Sequence, residues 1–407
     1  MIVRRFLSWV QSATPGERAE GVSSLARTLL YADLSPEDRR EAETALTAML
    51  DDPSPLVRRA MAEAFANAAE APAHLVLALA NDQSDVAALV LARSPLLDDH
   101  DLVDCAALGD EVIQAAVASR PRVSAAVAAA LAEIAGPRAL AVLVENHDAA
   151  VMPASLARIV ERHGDDGALR EALLARPDLP LEVRQAVSVA LAQSLGAFVV
   201  GCGWLSPERC ERAVREAREK TAVALATWAD PGDAQRLVAH LRRSGQLTPA
   251  LILRAILSRG LAFAEAAFAE LTGLPPARVA GLIHDRRSGG LRPLYKRAGL
   301  PEALRPAFEA ALAALRETGH VDGAKAGAQL SRRMVERVLT ACAHLPPADA
   351  GKLMALLRRF EVEAAREEAR EQAEAMADEA ALAAVLAYMP QAIAEAVRQQ
   401  RALPSAA

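Results

Sequence analysis

Arginines concentrated between positions 235 and 300 have the clearest chemical potential in this sequence. The segment holds eleven basic and three acidic side chains, a net charge of +8 in a 407-residue chain whose total is −6. Such a local excess of positive charge attracts phosphate, anionic lipid or acidic protein. We predict an anion- or partner-binding site around the Ser288-Gly289-Gly290 turn, where backbone N–H groups can approach an anion. Its predicted residues are Arg286, Arg287, Arg292, Lys296 and Arg297.

An acidic segment further along the chain offers a different explanation for this charge. Residues 361–379 contain eight acidic side chains against two arginines, a net charge of −6. This segment can cover the basic segment of its own chain or of a second subunit. An external acidic protein or lipid is the second alternative. Nucleic acid is the third and least favoured, because the chain is acidic overall. Only Phe263, Phe268 and Tyr295 interleave the arginines, and we predict all three to be core residues.

Catalytic and metal-binding patterns are missing from the sequence. It contains no phosphate-binding P-loop, no dinucleotide-binding fingerprint, no H-E-x-x-H and no G-x-S-x-G. The His163-Gly164 pair is better explained as the end of a helix than as part of a metal cluster. Four scattered cysteines exclude a disulfide framework, and the Cys202–Cys210 spacing is poor for zinc. We therefore predict a cytoplasmic protein that is not an enzyme and that binds no cofactor or metal.

The elements that position these residues are predicted to be helices. The chain is 52% hydrophobic and 3% aromatic and is rich in alanine, the best helix former. Four hydroxyl–proline pairs are typical helix starts, because the hydroxyl caps the helix and proline needs no N–H there. They are Ser35-Pro36, Ser54-Pro55, Ser206-Pro207 and Thr248-Pro249. No run of alternating strand residues is present, so the fold class is predicted to be all-α.

One long uncharged stretch runs from Ala186 to Pro207. Its length is sufficient for a membrane span, but it contains Gln193 and several glycines. Gly201-Cys202-Gly203 indicates a turn before a new helix at Pro207. We predict a buried helix followed by a loop, and no membrane span.

The first half of the chain repeats itself. Polar or proline turns recur, and the steps from Pro95 to Pro121, His147 and Pro177 are 26, 26 and 30 residues. Each step accommodates two short helices, which must stack on their neighbours to bury their apolar faces. The segment 52–60 resembles a HEAT repeat in its aspartate, proline and Val-Arg order. We predict a HEAT-like α-solenoid of short helix pairs, followed by a second helical domain and a C-terminal helical tail.

Three domains follow from this pattern. Residues 1–195 form the predicted repeat domain, 196–355 a helical domain with the basic segment 235–300, and 356–407 charged and amphipathic C-terminal helices. Within the last of these, residues 380–401 carry an apolar stripe. This stripe is predicted to dock on a partner, to form a homodimer seam or to pack on its own domain. Its members are Leu382, Val385, Leu386, Met389, Ile393 and Val397.

Several stretches together resemble one bacterial family. Residues 241–256, 279–285 and 290–301 are similar to the family called domain of unknown function 2336, known mainly from alphaproteobacteria. Shorter elements at 78–82, 94–97 and 176–180 are also similar, so the resemblance covers roughly residues 20–375. It implies a cytoplasmic helical-repeat protein and supplies no catalytic residues.

The function that we predict is a non-enzymatic helical-repeat scaffold or adaptor for a protein partner. One alternative is a nucleic-acid-binding protein that uses the segment 235–300. Under this alternative the protein could be a DNA-repair-like enzyme, since one group of alkylpurine DNA glycosylases consists of HEAT-like repeats. A second alternative is a carrier of anionic lipid or a small ligand, with the helices around 186–205 lining a cavity.

Overall fold

A computed structural model describes residues 2–227, 229–285, 290–318, 330–344 and 347–388. Within these ranges the chain forms 22 α-helices and two short 3-10 helices, and no strand. The all-α prediction is confirmed. The chain divides into two compact units, Met1–Val214 and Arg215–Ala407.

This division differs from the domain boundary expected between residues 195 and 196. Position 196 lies inside a helix that runs from Leu181 to Gly201. A Cβ on Gly196 would lie 2.7 Å from Cys210 Sγ, so the glycine serves close packing of two helices. The start of the expected tail domain, residue 356, also lies within a continuous helix, Pro347–Tyr388.

The first unit contains helices α1 to α13 and the start of α14. Their bounds are α1 Ile2–Val10, α2 Pro15–Tyr31, α3 Pro36–Ala48, α4 Pro55–Phe65, α5 Ala73–Ala80, α6 Ser84–Arg93, α7 Asp99–Leu108, α8 Glu111–Ala118, α9 Ala125–Ile134, α10 Pro137–Glu145, α11 Pro153–His163, α12 Gly167–Ala175, α13 Leu181–Gly201 and α14 Pro207–Thr227. A 3-10 helix, Met49–Asp51, follows α3.

Local chemistry fixes many of these helix starts. Ser35 Oγ accepts the backbone N–H of Asp38 at 3.1 Å, which satisfies a donor that α3 leaves free in its first turn. Thr14 and Glu17 form a reciprocal capping box at α2. At α4 the expected cap is only partly present: the helix begins at Pro55, but the Ser54 side chain makes no capping bond.

Helices of the first unit pack against the helix two places along the chain. Two series of helices are in contact in this way: α2, α4, α6, α8, α10 and α12 form one, and α7, α9, α11 and α13 form the other. One hydrophobic cluster runs through them from Val22 to Val187. Each short helix therefore buries its apolar face only with the help of the next helix pair.

A series of polar side chains joins successive helix pairs at the ends of the even-numbered helices. Each side chain follows its own helix and donates hydrogen bonds to carbonyls at the end of the preceding even-numbered helix. Those carbonyl oxygens have no hydrogen-bond donor within their own helix. The side-chain hydrogen bonds supply one and so set the spacing between successive helix pairs. The bonds are Arg120 Nη2 to Ser94 O (2.7 Å), Asn146 Nδ2 to Ala118 O (3.0 Å) and Arg120 O (2.8 Å), and Arg176 Nη1 to Val144 O (2.8 Å).

Two ion pairs of a different kind connect elements nearer the N-terminus. Arg18 Nε donates to Asp52 Oδ2 at 2.7 Å, and Arg58 Nε donates to Asp82 Oδ2 at 2.5 Å. Burial alone would raise the pKa of Asp52, but the Arg18 hydrogen bond, the Ser54 N–H and the nearby positive charges outweigh it and lower the pKa.

The second unit contains the rest of α14 and eight further helices. These are α15 Pro231–Arg243, α16 Pro249–Leu257, α17 Leu261–Thr272, α18 Pro276–His284, α19 Leu291–Arg297, α20 Arg305–Thr318, α21 Arg332–Cys342 and α22 Pro347–Tyr388. A 3-10 helix, Glu302–Leu304, precedes α20.

Helix α16 forms the centre of the second unit. Every side chain from Leu251 to Leu257 is buried, and the helix packs against α17 and α20. Helix α17 in turn contacts α15, α18 and α19, and α21 packs between α20 and α22. Phe263, Phe268 and Tyr295 are fully buried, as the sequence predicts for core aromatics.

Candidate partner-binding site

The C-terminal half of α13 exposes large apolar side chains. The sequence predicts this helix to be buried, and its first half is, with Val183 and Val187 in the core. The second half is not: Leu195 is 55% exposed and Phe198 is 60% exposed. The expectation of a buried helix is therefore wrong for this half, because within the first unit only one side of it is packed.

These side chains form a continuous surface. Leu191, Leu195 and Phe198 are four and three positions apart, which places them on one face of the helix. Trp204, 69% exposed, lies in the following turn and packs edge-on against Phe198 with ring centroids 5.9 Å apart. Leu205 is also exposed. We call these five residues the apolar surface.

The turn that carries Trp204 is held in place by backbone bonds. Trp204 N donates to Val199 O at 3.1 Å, and Cys202 N donates to Phe198 O at 2.9 Å. Gly203 between them has φ +72°, a conformation that costs glycine little. This turn positions the indole beside the helix rather than leaving it on a free loop.

Close packing of α13 on α14 supports the same surface from behind. A Cβ on Gly196 would also lie 3.1 Å from Val214 Cγ2, so only glycine allows this separation of the helices. Cys210 on the facing helix is buried. The apolar surface is therefore supported by close helix packing and by a hydrogen-bonded turn.

The predicted anion-binding residues do not form one described cluster. Arg286 and Arg287 lie outside the described residues. Arg292 and Lys296 are exposed on α19, one turn apart, and have no ion-pair partner within the described ranges. Arg297 instead donates a hydrogen bond to Thr272 O at 3.0 Å, so it caps the C-terminus of α17.

A second arginine reaches the same helix end. Arg242, the penultimate residue of α15, donates to Glu270 O at 2.6 Å and to Glu270 Oε1 at 3.1 Å. Arg242 and Arg297 therefore approach the C-terminus of α17 from two different helices. With exposed Arg243, Arg292 and Lys296 beside them along the chain, they form what we call the basic surface.

Arg254, a member of the basic segment, lies in the core instead. It has no solvent exposure, and its Nε donates to Glu219 Oε2 at 3.0 Å. Its two terminal nitrogens donate to both carboxylate oxygens of Glu363, and its guanidinium lies 4.9 Å from the Phe360 ring centroid. Lys220 completes the cluster with its Nζ 3.3 Å from Glu363 Oε1. The acidic segment thus covers part of the basic segment within this unit.

Ionisation in this cluster follows from burial and charge. Burial would raise the pKa of Glu363, but hydrogen bonds from Arg254 and the charges of Arg254 and Lys220 outweigh it and lower the pKa. Burial raises the pKa of Glu216, and the neighbouring Glu363 charge raises it further. The hydrogen bond that Glu216 shares with Glu363 also raises the pKa of Glu216.

Two features of the described residues concern metal binding and a membrane span. Within the described ranges, no group of three His, Cys, Asp or Glu side chains could hold a metal ion. In the same ranges, α13 is the one helix whose length and composition would suit a membrane span, and 22% of its most apolar window is buried.

Comparison with protein families agrees with the resemblance seen in the sequence. A model described as "Uncharacterised protein conserved in bacteria (DUF2336)" matches residues 86–348, more than half of the chain. The chain belongs to this family. The matched range includes the apolar surface and the basic surface, whereas the acidic segment lies beyond it. Comparisons with curated proteins and with solved structures gave no match.

The sequence assigns residues 186–205 a role only in the carrier alternative, as the lining of a cavity, and it does not predict an exposed apolar surface there. One available signal was the 22-residue uncharged stretch itself, in which apolar side chains occupy every face of α13. A helix of this kind is normally covered on all sides. In the C-terminal half of α13, by contrast, Leu191, Leu195 and Phe198 are exposed.

Proposed function

We propose that the protein is a non-enzymatic helical-repeat scaffold that binds a protein partner through the apolar surface. The observation that carries this proposal is the exposure of Leu195, Phe198 and Trp204 on a closely packed helix and its following turn. Contiguous exposed apolar patches are unusual on soluble proteins and are typical of interaction sites.

The composition of the surface suits a protein interface. Tryptophan is enriched among the residues that dominate binding energy, and Phe198 supports it as a packed neighbour. Fully covering one large apolar side chain contributes about 1.5–3 kcal/mol, so a partner that covers several gains enough for specific binding. The partner we infer presents an apolar helix face or groove.

The repeated helix pairs supply the scaffold in this proposal. We infer that the first unit is a HEAT-like α-solenoid, in which each pair stacks on the next. Supporting observations are the packing of alternate helices and the hydrogen bonds from Arg120, Asn146 and Arg176. Solenoids of this kind offer extended surfaces for partners. We also propose that it works in the cytoplasm without a cofactor.

The two alternative functions have less support. Fewer arginines are available for nucleic-acid binding than the sequence predicts, because Arg254 is buried and Arg242 and Arg297 cap a helix. A lipid or ligand carrier needs an enclosed apolar cavity, whereas Phe198 and Trp204 face solvent. Neither alternative explains why these aromatic side chains are exposed.

Affinity purification of the tagged full chain from its own cells tests the proposal. We compare the unchanged protein with a Phe198→Ser, Trp204→Ser variant. A matched control carries Tyr31→Ser and Leu108→Ser, which remove two exposed apolar side chains elsewhere in the same unit. Proteins recovered with the unchanged chain and with the control should be lost from the surface variant.

Two outcomes would overturn the proposal. One is recovery of the same proteins by all three chains, which would show that the apolar surface does not bind them. The other is binding of the unchanged chain to lipid vesicles that the surface variant does not show, which would assign the surface to a membrane.

A further inference from the structure

Helix α22 continues well beyond the core of the second unit. Its residues Leu353, Leu357, Phe360 and Ala364 are buried. From Ala369 to Ala381 every side chain is exposed, including Met376 at 70%. Thirteen successive exposed residues correspond to about 20 Å of helix with no packed face.

The exposed part of α22 carries an acidic stripe. Glu371, Glu374 and Asp378 are three and four positions apart, so they lie on one face. The same face continues from Glu367, whose Oε1 lies 2.5 Å from Lys220 Nζ. Beyond Glu367, these three acidic side chains have no ion-pair partner among the described residues.

A complementary surface lies on the same unit. The basic surface has Arg243, Arg292 and Lys296 exposed, also without ion-pair partners in the part of the chain that the structure describes. Arg242 and Arg297 hold it against the end of α17. The two surfaces have opposite charge and are both solvent-exposed within one folded unit.

The structure shows that the two surfaces of one chain do not cover each other. Glu363 pairs with buried Arg254, but the exposed stripe beyond it contacts no packed face. A continuous helix cannot fold back on its own unit without breaking. Pairing of two α22 helices along their stripes would place like charges together, which is unfavourable.

We propose that the acidic stripe of α22 binds the basic surface of a second copy of the chain. Each copy offers both surfaces, so a two-fold dimer makes the contact twice. Opposite charges steer and orient the copies. The residues of this contact all belong to the second unit, and none of them is part of the apolar surface.

Charge reversal with the full chain tests this proposal. One variant carries Glu371→Lys, Glu374→Lys and Asp378→Lys, and the other carries Arg243→Glu, Arg292→Glu and Lys296→Glu. The unchanged protein should have the mass of a dimer at low salt by light scattering and should dissociate at high salt. Each variant alone should be a monomer.

Mixing the two variants gives the decisive result. In a mixed dimer, the reversed, basic stripe of one variant faces the reversed, acidic surface of the other. The second contact pairs the unchanged acidic stripe with the unchanged basic surface. Both contacts therefore join opposite charges, and the mixture should recover the dimer mass. A control with Arg39→Glu, Arg122→Glu and Arg138→Glu changes the same charge on exposed positions of the first unit and should stay dimeric. A monomeric unchanged protein, or dimers in both reversed variants, would overturn the proposal. Circular dichroism confirms that each variant is folded.

Discussion

Arg254 Nη2 donates a hydrogen bond of 2.7 Å to Glu363 Oε2, although 109 positions separate the two residues in the chain. This bond joins the most buried helix of the second unit, α16, to α22. It is one of several charged contacts in a core cluster that also contains Glu219 and Lys220. The acidic segment is thereby fixed at its start and free along its exposed stripe.

Removal of Arg254 is expected to destabilise the second unit strongly. Arg254→Ala leaves Glu219 and Glu363 buried without their main counter-charge, which typically costs about 3–5 kcal/mol. The triple variant Arg254→Met, Glu219→Leu, Glu363→Leu removes all three charges together and should lose less. Urea denaturation measures both free energies of unfolding. A single variant that is no less stable than the triple would contradict this account of the cluster.

Asn146 should contribute through the two carbonyls that it satisfies. Asn146→Ala removes the hydrogen bonds to Ala118 O and Arg120 O and leaves partly buried acceptors without a donor. We expect a loss of about 1–3 kcal/mol in the free energy of unfolding. Arg158→Ala, which breaks an exposed ion pair with Glu133, is the control and should cost less than about 1 kcal/mol. Equal losses would show that the bonds of Asn146 have no special role.

Acid should weaken the first unit through its paired aspartates. The pKa of Asp178 is lowered chiefly by its hydrogen bond from Arg176, and the pKa of Asp52 is lowered by the contacts described above. Native Asp52 and Asp178 therefore bind fewer protons than in the unfolded chain. The free energy of unfolding should keep this contribution above the aspartate pKa of the unfolded chain, about 3.9. It should lose the contribution as the pH falls through the lower pKa values of Asp52 and Asp178 in the folded protein. Urea midpoints measured from neutral pH downward should show this fall, and Asp52→Asn should make it shallower; an unchanged slope would argue against the pairing.

Gly196 should tolerate no larger side chain. Gly196→Val places a Cβ 2.7 Å from Cys210 Sγ and forces α13 away from α14. Overpacking of this kind costs about 1–3 kcal/mol. Gly16→Val is the comparison, because a Cβ there meets nothing within 4 Å; its cost should be limited to helix propensity. Thermal denaturation compares the two variants, and a smaller loss for Gly196→Val would contradict the close packing.

Local signals account for the parts of the fold that were predictable. Helices begin at all four prolines of the predicted helix starts, Pro36, Pro55, Pro207 and Pro249, and the turns predicted at Pro121, His147 and Pro177 all separate helices. Proline, hydroxyl caps and turn residues act within a few positions, so the sequence contains them directly.

Long-range contacts account for what the sequence did not reveal. Arg254 was counted with the surface arginines, but its partners are 35 and 109 positions away. Its place in an otherwise apolar helix, Leu251–Leu257, was the available clue to a buried charge. Arg297 was likewise expected to bind an anion, and its contact with Thr272 spans 25 positions. Exposure of Phe198 depends on what packs beside α13, which no local pattern specifies.

Site-specific photocrosslinking in the protein's own cells tests the central claim most directly. A photoreactive amino acid replaces Phe198 in one full-length chain and Leu108, which is 89% exposed, in another. A binding surface on α13 predicts a discrete crosslinked protein from position 198 that is missing from position 108. Products that are the same from both positions, or products at position 198 that contain only lipid, would contradict a protein partner on this surface.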